Sequence, residues 1–188
     1  MRLPLIAPSE LTPEQKPLYE DMRKGIASHF NLFQVERDDG ALMGPWNPWL
    51  HEPVIGGAIW NLTLAMTAKA VLPDNVRQIA ILTVGAHFNA AYEVYAHIAV
   101  AEHEGMPEKR LSTLVANLRP EDLNEEESVA YNVAYHLSRG GVLPEPLYRS
   151  AVTTFGQHGA NELMYLVGLY ALVSVTLNAF NVPVPERE

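Results

Sequence analysis

The chain has 188 residues, 48% of them hydrophobic and 19% charged, proportions that suit a domain with a buried core and exclude extended disorder. Acidic residues outnumber basic ones by 22 to 13, a formal charge of −9, and the few basic residues are scattered, so neither nucleic acid nor an anionic membrane is an expected partner. The absence of cysteine excludes disulfides, thiolate nucleophiles, zinc–cysteine sites and peroxidatic sulfur from this chain.

One domain is expected at this length. A cysteine-free composition fits the reducing cytoplasm. The opening residues carry one positive charge and are broken by Pro4 and Pro8, which makes a poor export signal. A cytoplasmic location is therefore expected.

Thr12-Pro13-Glu14-Gln15 announces the first helix, with Thr12 as cap and Pro13 in the first turn, running to about Ala27. Over 40–53, Pro45, Pro48 and Pro53 prevent any long helix or strand. Trp46 and Trp49, in that irregular stretch, are expected to pack on the helical body. A second helix is predicted from Pro53 to Lys69, with Ile55, Ile59, Leu62 and Met66 on one side. Pro73 opens a third, with Val76, Ile79, Ala80 and Thr83 on one face, ending near Phe88. A fourth follows from about Ala90 to Glu104, stopped by Gly105, and pairs with the third as a helical hairpin.

Pro107 then starts a helix bearing Leu111, Leu114, Val115 and Leu118. Asn124-Glu125-Glu126-Glu127 is a capping box for another, which Gly140-Gly141 stops. A short helix over 144–155, an interruption at Gly156 and Gly159, and a long apolar helix over 161–180 complete the chain. The apolar stretch 163–177 is shorter than the ~20 residues a bilayer crossing needs, which favours a buried central helix at a subunit contact. No β-alternating run appears, so the fold class is all-α. The ends 1–11 and 181–188 are expected to lie as arms on the surface or on a neighbour.

The fourth helix carries the most chemistry. Glu93 and His97, four residues apart, stand about 40° from one another on one face. His97 falls within the stripe of Ala90, Val94, Ile98 and Ala101, which points it inward, and Glu93 lies in the first turn, where free amides favour negative charge. A carboxylate beside an inward imidazole makes His97 a candidate general acid or base. The plainer alternatives are a dipole partner for Glu93 and a satisfied core residue for His97. A metal pair would need a third ligand such as His51, His87 or His136, and helical spacing alone supports it weakly, so no metal is expected. Arg77, near the start of the third helix, could reach the same face and give a substrate carboxylate a forked partner, or pair with Glu93 or Asp74. Tyr92, Tyr95, Tyr165 and Tyr170 read as packing residues. No Gly-rich phosphate loop, Gly-x-Ser-x-Gly elbow or HExxH pair is present.

The run Arg-Gln-Ile-Ala-Ile-Leu-Thr-Val-Gly-Ala-His-Phe-Asn-Ala-Ala-Tyr-Glu-Val-Tyr-Ala-His over 77–97 resembles the signature of the carboxymuconolactone decarboxylase family, whose sister branch is the alkylhydroperoxidase-D-like proteins. The resemblance extends over 44–183 and includes Gly-Pro-Trp-Asn-Pro-Trp-Leu-His and the ending Leu-Val-Ser-Val-Thr-Leu-Asn-Ala-Phe-Asn-Val-Pro. It divides the single domain into an N-terminal arm and first helix over 1–43, a core over 44–183 and a tail over 184–188. It implies an all-α alkylhydroperoxidase-D-like fold assembled as a homotrimer or homohexamer, with the site near a subunit boundary.

The peroxidase branch uses a Cys-x-x-Cys pair where this chain has Ala90 and Glu93, and tends to have Glu where this chain has Gln78, so thiol peroxidase activity is excluded here. The cysteine-free decarboxylase branch acts on a carboxylated unsaturated lactone from aromatic-compound breakdown, without a cofactor. By that resemblance Arg77 binds the substrate carboxylate, His97 transfers the proton and Glu93 orients His97. Trp46, Asn47, Tyr92 and Asn178 are the further expected substrate contacts. The longer N-terminal part departs from the compact decarboxylases and leaves the substrate open. The alternatives are another cofactor-free lyase, isomerase or hydrolase on a small organic acid, and a non-catalytic oligomer that binds a ligand.

Overall fold

The structure is a computed structural model and describes residues 1–185; the last three residues of the expected tail, 186–188, lie outside the described residues. Among the described residues eight α-helices form: α1 (Lys16–His29), α2 (Trp46–His51), α3 (Pro53–Ala68), α4 (Asp74–His87), α5 (Ala91–His103), α6 (Glu108–Val115), α7 (Glu125–Ser138) and α8 (Glu145–Ala179). Among the described residues no strand forms, and one isolated bridge pairs Glu36 with Leu42.

Local chemistry explains most of these boundaries. Thr12 and Gln15 exchange the two expected capping hydrogen bonds in a turn just before α1, and Asn124 and Glu127 exchange theirs at the head of α7. The irregular stretch contains one short helix, α2, because Pro45 precedes it and Pro48 falls in its first turn, where backbone N–H groups have no partner to lose. Only Gly156 breaks α8, with φ 68° and ψ 172°; Gly159 stays helical and buried, so the expected double interruption is a single kink.

Two apolar clusters form. In the first, α4 is enclosed by α5, α6, α7 and α8, and Val76, Ile79, Leu82, Leu114, Val133, Leu163 and Leu166 fill the centre. The apolar character of α8 is thus largely accounted for by core packing. In the second, the N-terminal arm and α1 to α3 close over α5 and the far end of α8 through Met22, Leu50, Trp60, Tyr92 and Leu177. The arm is tied down by Arg2 donating to Ala179 O and by Ile6 burying its side chain, so it lies on its own chain.

Three expected faces differ from those observed. On α3 the buried residues are Gly56 and Trp60, while Ile55 and Leu62 are exposed. The reason is close approach: a Cβ at Gly56 would stand 2.2 Å from the Trp49 carbonyl oxygen, so that face must meet α2. Val115 and Leu118 are exposed while Leu111 and Leu114 are buried, because α6 ends at Val115 and the helical stripe stops there. On α5, Val94 and Ile98 are only half-buried, and the inward line runs through Tyr92, Glu93, Ala96 and His97.

Candidate functional site

The inward line of α5 meets α2, α8 and the segment 30–33 at the seam between the two clusters. A cavity of about 40 Å3 lies there, walled by Phe30, Phe33, Trp46, Trp49, Tyr92, Glu93, Ala96, His97, Leu169, Tyr170 and Val173 among others. Its walls are almost entirely aromatic and aliphatic, so Glu93 and His97 are its conspicuous polar members.

Both are buried, with 4% and 9% of their surface exposed. His97 Nε2 stands 3.1 Å from Glu93 Oε1, within ion-pair range but out of line for a hydrogen bond, so Oε1 remains a buried acceptor with no partner. On the other side of the ring, Nδ1 lies 2.8 Å from Gln78 Oε1. As the amide is oriented, Nδ1–H donates and Nε2 is left to take up or release a proton; turned over, the same amide would donate to a bare Nδ1. Gln78 can therefore serve either tautomer, as a carboxylate acceptor could not. Tyr170 packs edge-on against the imidazole, ring centroids 5.0 Å apart. The i, i+4 geometry of α5 makes the Glu93–His97 contact, and α4–α5 packing supplies Gln78 from the neighbouring helix.

Burial pushes the hydroxyls of Tyr92 and Tyr170 well above the ordinary tyrosine value of 10.0; for Tyr170 the nearby Glu93 carboxylate adds to the rise and Arg77 opposes it. A folded value raised above the unfolded one means that the stability contribution is complete below about pH 10 and is lost as pH climbs past it. In an alkaline titration, these two of the eight tyrosines are expected to develop tyrosinate absorbance at 295 nm only as helical ellipticity disappears. Ionisation of all eight before any loss of helix would contradict this placement.

The other expected site residues divide. Trp46 and Tyr92 line the cavity, and the Tyr92 hydroxyl donates to Gln34 O at 2.8 Å. Asn47 is buried but away from the wall, accepting from Ile6 N–H and donating to Pro4 O, so it anchors the arm instead of facing a ligand. Asn178 is exposed and donates to Phe88 O, tying α8 to the end of α4. Arg77 is paired with Glu162, not with Glu93 or Asp74, and is absent from the cavity wall. Glu162 also accepts from the N–H groups of Val71 and Leu72, at 2.7 and 3.1 Å, so the ion pair locks the α3–α4 link against α8.

Of the third-ligand candidates for a metal, His51 contacts Pro4 O and His136 contacts Val142 O. Among the described residues no three His, Asp or Glu side chains gather at metal-binding distance.

Sequence reasoning passed over Gln78, Trp49 and Tyr170 as parts of the site, and Glu162 as the partner of Arg77. The lone acid at the head of the apolar run 163–177 was a readable signal for Glu162, since a carboxylate buried there needs a cation. Nothing local marks Gln78: its contact with His97 spans 19 positions and two helices.

No profile of a known protein family matches the chain. No curated protein matches it in sequence. Solved structures do match its fold. The debrominase Bmp8 bound to 2,3,4-tribromopyrrole superposes with a TM-score of 0.70 at 14% identity, over 96% of this chain and 90% of its own. Apo Bmp8 gives the same TM-score at 13% identity and the same coverage. A protein of unknown function from Agrobacterium tumefaciens, assigned by its describers to AhpD-type antioxidant defence, gives 0.67 at 13% identity, over 75% of this chain and 97% of its own. The chain thus has the all-α AhpD-like fold. At these identities the likeness concerns the fold, and decarboxylase membership does not follow from it.

Proposed function

We propose that the chain is an acid–base enzyme that works with its own side chains, moving a proton on a small unsaturated ring compound held in the cavity. The observation that carries this is the buried Glu93–His97 contact on the wall of an otherwise apolar cavity, with Gln78 at the far ring nitrogen. In this reading His97 Nε2 takes a proton from a carbon acid and returns it at a conjugated position as the double bond moves. Glu93 stabilises the imidazolium formed in between. Gln78 is a positioning residue. The debrominase of the same fold holds a small unsaturated ring, which supports a substrate of that kind.

The narrower form of the reading is loss of carbon dioxide from a carboxylated lactone. There the electrons of the breaking carbon–carbon bond pass into the conjugated system, and Nε2–H delivers a proton to carbon. It would require Arg77 to leave Glu162 and reach the substrate. Thiol peroxidation is excluded because this chain has no cysteine. We further propose that the chain forms a homo-oligomer: Val54 and Ile55 of α3 and Tyr165, Leu172 and Val175 of α8 are apolar and exposed in the single chain, and contacts between copies would cover them.

The test is solvent deuterium incorporation by NMR, with purified protein and a panel of unsaturated lactones, carboxylated muconolactones and heterocycles, carbon dioxide release being followed in parallel. Deuterium entering any of these at a rate that depends on His97 supports the reading; exchange equal to that without protein on every compound would overturn it. Replacing Gln78 by leucine is expected to lower turnover several-fold and to move the pH profile, whereas Gln78→Glu should restore the ring contact with a displaced profile. Equal loss in both variants without any change of profile would mean that Gln78 acts only in packing.

A further inference from the structure

Two residues that line the cavity each carry a buried polar atom without a partner: Glu93 Oε1, an acceptor, and Trp49 Nε1, a donor. Among the described residues the other such atom, Ser174 Oγ, belongs to a residue away from this wall. Buried groups of this kind are ordinarily hydrogen-bonded, and two of opposite sense on one wall define a demand on whatever enters. Around them stand Phe30, Phe33, Trp46, Tyr92 and Tyr170. No arginine or lysine is among the lining residues, and the guanidinium of Arg77 is committed to Glu162.

We propose that the cavity selects an uncharged, flat compound that carries both an N–H or O–H donor and a carbonyl or ring acceptor, the donor going to Glu93 and the acceptor to Trp49. This deepens the broad acid–base reading, rests on it only in taking the cavity as the substrate site, and stands against its carboxylated-lactone form. An anion would face the Glu93 carboxylate in an apolar pocket whose lining holds no Lys or Arg and whose one imidazole, His97, already stands against Glu93, and like charges there are poorly screened. A cation would suit Glu93 but would set a donor against the Trp49 N–H. A neutral donor–acceptor compound satisfies both atoms, and its faces lie against aromatic rings at no electrostatic cost. At roughly 10–15 Å3 per water, the cavity has room for only a few water molecules. A ring is therefore admitted when the outer wall yields, and Phe33, half-buried on an irregular segment, is the side chain placed to do so. That segment is held by hydrogen bonds from Gln34 N–H to the Tyr95 hydroxyl and from the Tyr92 hydroxyl to Gln34 O.

The experiment titrates 2-pyridone, benzoate and benzylammonium separately into the full chain. It follows the indole N–H signals of the three tryptophans by NMR, that of Trp49 being identified by its loss in Trp49→Phe. The expected result is that 2-pyridone binds at least about tenfold more tightly than either ion, a difference of about 1.4 kcal/mol, and displaces the Trp49 signal. Glu93→Gln should relax the discrimination against benzoate. Should Trp49→Phe fail to fold, Trp46→Phe and Trp60→Phe assign the remaining signals and the wild-type titration still decides. Tightest binding of benzoate would overturn the proposal, as would a Trp49 signal that no probe moves, since water alone would then serve both atoms. If 2-pyridone binds as described but no compound shows His97-dependent deuterium exchange, the acid–base reading fails and this one stands. Exchange without selective binding has the opposite meaning.

Discussion

Glu162→Leu is expected to lower stability by about 3–5 kcal/mol, because it leaves the guanidinium of Arg77 buried without a counter-charge. The same change removes the acceptor of the buried Leu72 N–H, an added penalty of the kind that follows an unsatisfied amide. For a domain of this size roughly 2–4 °C accompanies each kcal/mol, so the melting temperature should fall by about 6–20 °C. Arg77→Met should cost less, since Glu162 keeps both backbone donors. Thermal denaturation followed by circular dichroism checks both. A Glu162→Leu protein that melts with the wild type would show that the pair does not hold the α3–α4 link. An Arg77→Met protein of near-native stability but without turnover would show that the guanidinium acts on substrate, and would restore the role for which the carboxylated-lactone reading needs it.

His97→Ala should reduce turnover by about 10²–10⁴-fold, the range that a positioned general acid–base contributes. The truncation opens space beside Tyr170 and Gln78, so added imidazole should recover part of the lost rate. Rescue separates a chemical role from a structural one, because an imidazole in solution cannot repair a misfolded core. Glu93→Gln should produce a smaller loss, as the ring keeps Gln78 at Nδ1 but loses the carboxylate beside Nε2. Unchanged turnover in His97→Ala, measured on whichever compound shows deuterium exchange, would remove the imidazole from the chemistry.

The helices were legible because their signals are local. Prolines at 53, 73, 107 and 144 stand just before or at helix starts, the capping boxes at Thr12 and Asn124 form, and Gly105, with φ of 85°, follows the end of α5. The Glu93–His97 contact was legible for the same reason, since helix geometry alone puts residues four apart in reach. Faces were less legible where apolar residues ring a helix. The sequence of α3 is apolar nearly all round, and only the close passage of α2 at Gly56 decides that Trp60 turns in and Ile55 out.

The amino-acid sequence by itself determined that the fold is all-α, that thiol chemistry is closed to this chain, and that an acid and an imidazole stand four residues apart on α5. Tertiary structure alone decided what those groups meet. It brought Gln78 to His97 across 19 positions, gave Arg77 to Glu162 across 85, and left the Trp49 N–H buried without a partner of its own. The physical reason is range. Caps, breaks and i, i+4 neighbours are settled within a few residues, whereas the partner of a buried charge is settled by which helices pack, and that depends on the whole core at once.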